Sequence, residues 1–89
     1  MEMTLEQLDV LDWEDVESSN VTRVAFVVGT EKDAGTLYVV FRHSFVYAYY
    51  GVPRETFKGL TDAESVGSYF NDAVRPSHDC SRVRIVEAA

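Results

Sequence analysis

A chain of 89 residues, 46% apolar and 12% aromatic, holds one hydrophobic core and has no room for a second. Its only cysteine, Cys80, has no internal disulfide partner, which fits a reducing compartment. No apolar run approaches the ~20 residues of a membrane helix, so the expectation is a cytoplasmic domain with no membrane contact.

The net charge of −7 is unevenly placed. Residues 1–20 carry seven acids and no Lys or Arg, unlike a signal peptide, whereas residues 21–89 carry eight acids and eight bases. This predicts an acidic, partly ordered leader over 1–17, a neutral domain over 18–76 and a C-terminal segment over 77–89. The pI near 4.6 therefore describes the leader more than the domain.

Thr4 to Trp13 places Leu5, Leu8 and Leu11 (or Val10) at helical spacing, with Thr4 as N-cap. A helix of about ten residues is marginal unless its leucine face docks. Glu17-Ser18-Ser19-Asn20 is turn-prone and marks the start of the domain. Val21 to Val28 reads as a strand, with Val24, Phe26 and Val28 alternating against Arg23 and Ala25. Asp33-Ala34-Gly35 suits a tight turn. Thr36 to Arg42 follows as the clearest strand, with Leu37, Val39 and Phe41 on one side and Tyr38, Val40 and Arg42 on the other. His43-Ser44 fits a hairpin connection. Phe45 to Tyr50 is a third strand, which Gly51-Val52-Pro53 is expected to end.

The period then changes from two to about 3.6. Pro53 and Glu55 open a short helix that buries Phe57 and Leu60. A second helix from Glu64 or Ser65 to Val74 buries Val66, Tyr69, Phe70 and Val74. Gly67 inside it costs about 1 kcal/mol relative to Ala, which points to a close approach to the sheet or to the first helix. Arg75-Pro76 ends this helix. Residues 82–86 are either a further short strand or an ordered tail. The predicted fold is α+β: a three-stranded antiparallel sheet followed by two short helices packed on one face, with a possible extra C-terminal strand.

From Ser18 onward the chain resembles the KTSC domain, a family named for its occurrence at the C-terminus of some lysyl-tRNA synthetases and often found alone in bacterial and phage proteins. The resemblance is carried by Ser18-Ser19-Asn20-Val21, the strand Thr36 to Phe41, and Tyr47-Ala48-Tyr49, where the family has YxY. It continues through Gly51-Val52-Pro53 and Ser65 to Asn71, with Arg75 four residues on. It implies a small domain of unsettled role, for which RNA binding has been suggested. Here Ala48 stands where the family usually has a base. Ser77 to Arg82 replaces an aromatic-basic ending, and both changes remove or move positive charge.

The feature most able to bind a ligand is the aromatic third strand. If Tyr47 and Tyr49 lay beside Tyr38 on one face, with Arg23, Arg42 and Arg54 at its edges, bases could stack there. The competing reading is that one set of tyrosines packs under the helices and the other makes ordinary cross-strand pairs. Arg75, His78, Arg82 and Arg84 form a basic segment that could track a phosphate backbone or pair with the acidic leader, although solvated charge is the commonest reading of such a segment. Asn71 faces a ligand or satisfies nearby backbone groups.

His78-Asp79-Cys80 lies along an extended segment whose side chains point apart, which argues against a metal or thiol site. There is no phosphate-cradling glycine loop, no zinc-type cysteine pair and no nucleophile elbow, so no cofactor is expected. The expectation is a non-catalytic binding module for an unknown protein partner. The alternative is single-stranded RNA, with the leader opposing it and its removal improving binding. The candidate contacts are Tyr38, Arg42, Tyr47, Tyr49, Arg54 and Arg75. A homodimer through a sheet edge is a further possibility.

Overall fold

Alternation of β-branched and aromatic residues builds the centre of the molecule. The computed structural model describes residues 1–30, 33–42 and 45–87. Three strands, β3 (Val21–Val28), β4 (Ala34–Phe41) and β5 (Val46–Pro53), form an antiparallel meander. The expected His43-Ser44 hairpin lies outside the described residues.

The sheet has six strands, not three. β6 (Cys80–Val86) pairs antiparallel with β5, which makes the C-terminal segment a strand. The two remaining strands come from the N-terminal segment. β1 (Glu2–Thr4) runs parallel to β6, and β2 (Trp13–Asp15) runs antiparallel to β3, giving the order β1-β6-β5-β4-β3-β2. The segment expected as a leader thus supplies both edges of the sheet. Between them, α1 (Leu5–Asp9) and the residues that follow cross one whole face.

Thr4 caps α1 as its side chain predicts. Its hydroxyl accepts from the Gln7 backbone N–H at 3.1 Å, while the Gln7 side chain accepts from the Thr4 N–H at 2.9 Å. Leu8 is the buried residue of α1, packed with Ala25, Tyr38, Val46, Ala48 and Val83. The Trp13 indole N–H donates to the Leu8 carbonyl at 2.7 Å, which ties the crossing segment to β2. The Arg23 guanidinium lies over the Trp13 ring, 4.8 Å from its centre.

The opposite face is covered by α2 (Arg54–Asp62), α3 (Val66–Tyr69) and a π-helical turn (Phe70–Val74). Leu60, Val66, Phe70 and Val74 pack there on Val24, Leu37, Val39, Tyr49 and Val52. The two helices meet at Gly59, where an added Cβ would collide with the Tyr69 ring and hydroxyl. Tyr69 is therefore only half-buried, lying over Gly59.

β5 does not stop at Gly51. Gly51 takes a left-handed φ of 65°, and the register shifts there, so two residues of β5 stand opposite one of β4. This glycine bulge carries pairing on to Pro53 opposite Ala34. A second irregularity falls at Thr22 on β3, which lets both Val21 and Val24 face the helices. Among the described residues no helix is long and apolar enough to cross a membrane.

Candidate ligand cleft

The helices pack over β3 to β5 and leave the β6 side of their face open. A cleft of about 520 Å³ forms where that cover stops. Its floor is a set of rings in edge-to-face contact. Phe41 meets Tyr47 at 5.5 Å and Phe70 at 5.7 Å, and Tyr49 meets Phe70 at 5.2 Å. Its polar rim comes from Asn20, Arg42, Asn71, Arg75 and Cys80, and among the described residues no acid lines it.

Each rim residue has a local cause. β4 ends at Phe41, so Arg42 escapes strand alternation and turns to the loop before β3. Its Nη2 donates to the Ser18 carbonyl at 2.7 Å and its Nε to the Ser19 carbonyl at 2.9 Å. The backbone agrees, with the Arg42 N–H donating to Asn20 O at 2.7 Å. Arg75 follows the π turn, and its N–H reaches back five residues to Phe70 O at 3.0 Å. That wider turn brings Asn71 and Arg75 to one rim, where Arg75 Nη1 lies 3.4 Å from Asn71 Oδ1.

Cys80 opens β6 opposite Tyr49. Burial pushes the Tyr49 hydroxyl up to about 12, and the neighbouring Cys80 thiol adds to this through charge and a hydrogen bond; Arg75 pulls the other way. Tyr49 is 4% exposed and belongs to the floor, whereas Tyr47 is half-buried and reaches the cleft.

Four of the six candidate contacts therefore converge: Arg42, Tyr47, Tyr49 and Arg75. Two do not. Tyr38 pairs with Ala48, so its ring points to the other face, beneath α1, with 8% exposure and a hydroxyl pushed up first by burial. Arg54 starts α2, its N–H bonded to Asp33 O at 2.8 Å, and does not line the cleft. The expected single face carrying Tyr38, Tyr47 and Tyr49 is not formed, because β4–β5 register puts Leu37 and Val39, not Tyr38, opposite the other two rings.

Sequence reasoning missed Asn20, Phe70 and Cys80 as parts of this site. Asn71 does line the cleft, and it also accepts from Arg75. Gly67 approaches neither sheet nor helix; an added Cβ would lie 3.2 Å from Ser18 Oγ. Of the basic C-terminal segment, Arg84 pairs with Glu2 at 3.6 Å, while Arg82 stands over the Phe45 ring at 4.1 Å and opposite Tyr47. His78 does not line the cleft beside Cys80, and His43 lies outside the described residues. Among the described residues no group of three or more His, Cys, Asp and Glu could hold a metal.

The KTSC domain model matches residues 17–78, which contain β3, β4, β5, α2, α3 and the π turn. A crystal structure of a KTSC domain protein from Yersinia pestis has a similar fold. It superposes with a TM-score of 0.72 at 23% identity, covering 84% of this chain and all of that one. No curated protein is significantly similar in sequence.

Proposed function

The chain belongs to the KTSC domain family, and on that premise we propose that it is a small non-catalytic binding module that holds a protein partner in the cleft beside β6. One observation carries this reading. Two arginines, two asparagines and a half-buried tyrosine surround a concave aromatic floor, with no acid among the described residues of the lining. Such a mix of apolar floor and convergent donors suits a side chain with an anionic or polar head. Residues 5–12 of the acidic segment cross the opposite face, so they leave this cleft unobstructed.

The test is a peptide-display selection against the full chain, followed by titration of the recovered synthetic peptides. Arg75→Glu should weaken binding at least about tenfold, since it sets a like charge against an anionic head in the cleft lining. Peptides that bind the variant as tightly as the parent would sink the cleft reading.

A second reading is single-stranded RNA along the same face. It is favoured by Arg82 over Phe45 and across from Tyr47, which extends the cation–aromatic pattern beyond the cleft. With Tyr38 and Tyr49 buried, however, the three-ring stacking platform is gone. Removing residues 1–17 is no longer a clean experiment, because it strips both edge strands. Neutralising Glu6, Asp9 and Asp12, all exposed, touches neither edge strand. If RNA is the ligand, a labelled single-strand pool will bind this variant better than the parent, with affinity falling as salt rises.

A further inference from the structure

The cleft does not close at the helices. Asn20, Gly67 and Asn71 line it and also line a second depression, whose other walls carry Glu17 and Glu64 among serines. The two hollows share these three residues as a waist and make one groove. Its ends differ in sign: Arg42 and Arg75 stand at one, Glu17 and Glu64 at the other. Among the described residues none of these four is in a salt bridge.

The waist explains the glycine. Residue 67 lies in a helix, where glycine is unfavourable, and its φ lies outside the left-handed region that would require one. A side chain there would lie against Ser18 Oγ, which is itself bonded to the Asn20 and Val21 N–H groups at 3.3 and 3.4 Å. Gly67 and Ser18 thus close against each other at the waist, and a segment spanning both hollows crosses a bare Cα there in place of a side chain.

We infer that the groove takes an extended polypeptide segment with ordered charges, an acidic residue at the Arg42–Arg75 end and a basic residue at the Glu17–Glu64 end. This rests on the protein-binding reading and deepens it. Opposite charges at the two ends fix the direction of the bound chain, because the reversed segment sets like charges together at both. A uniform polyanion such as RNA would gain at one end and be repelled at the other.

The probes are three end-capped synthetic peptide pools with randomised centres: one acidic and one basic end, acidic at both ends, and uncharged at both ends. Binding to the full chain is read by amide chemical shifts of Asn20 and Asn71. The pool with opposite charges should bind about tenfold better than the doubly acidic pool, as expected for a paired against a like charge at the Glu17–Glu64 end. The double variant Arg75→Glu with Glu64→Arg, both exposed positions, should abolish that preference, because Arg42 and Glu17 remain and each end then carries one charge of each sign. Equal binding by the oppositely charged and doubly acidic pools, or binding by the uncharged pool alone, overturns the charge-order inference and leaves the protein-binding reading standing. Binding by a single-stranded RNA pool but by no peptide pool, or by nothing at all, overturns both. The far-ultraviolet circular dichroism and melting curve of the double variant confirm that it is folded.

Discussion

The two faces of the same sheet are covered by different means, and their side chains differ accordingly. Beneath α2, α3 and the π turn lie Leu37, Val39 and Tyr49, with Phe70 of the π turn packed edge-to-face on Tyr49. Beneath the crossing N-terminal segment lie Ala25 and Ala48, with Tyr38, Val46 and Val83 around them and Leu8 of the segment packed on them. A thin cover with one buried leucine needs small residues below it, since native interiors leave little empty volume. A thicker cover accommodates large ones. The cleft arises on the helix side alone because rigid elements of fixed length stop short of β6. The strap on the other side runs from edge to edge.

The largest test of this contrast is Leu60→Ala. Leu60 is fully buried in the thick layer, and its truncation should cost about 2–5 kcal/mol, measured by denaturant unfolding. Leu8→Ala should fall near the lower end, about 2 kcal/mol, because a short strap can settle into the vacated space. A cost equal to that of Leu60→Ala would show that both covers contribute alike.

Next is the alkaline response. Tyr49, normally near 10.0, is pushed up to about 12 by burial and then by Cys80, so the native state favours its neutral form. Its contribution to stability is complete below pH 10.0 and is lost as pH rises through about 12. Tyr49→Phe should remove one late-ionising phenol from the ultraviolet titration. A Tyr49 midpoint near 10.0 would mean that water reaches the cleft floor. The smallest effect is Thr4→Ala, which removes the cap of α1 at about 1 kcal/mol. No measurable loss there would show that the strap is held by Leu8 and Trp13 alone.

Much of the core was legible. The alternation in β3 and β4 assigned Val24, Phe26, Leu37 and Val39 to one face and Ala25 and Tyr38 to the other. The cap at Thr4 and the buried Leu8 were also readable. Where the segment goes was not, because two three-residue strands leave no period to detect, and Glu14 and Asp15 are poor strand formers. The relation of Tyr38 to Tyr47 and Tyr49 was illegible for another reason. It depends on hairpin register, and a one-residue slip sends a ring to the opposite face. Arg42 and Arg75 entered the cleft through a strand end and a π turn, neither of which leaves a hydrophobic pattern.

The crossing segment also has a mechanical consequence. Five strand spacings of ~4.8 Å separate β1 from β2, so residues 5–12 span roughly 24 Å with almost no slack. β1 and β2 are therefore two ends of one short tether, and each shields a longer neighbour, β6 or β3, from solvent-exposed pairing. A single protease cut at exposed Val10 would sever the tether that helps hold both in place. The nicked protein would then offer open backbone on two sides, a geometry that permits chain-on-chain stacking into polymers where the intact molecule stays capped.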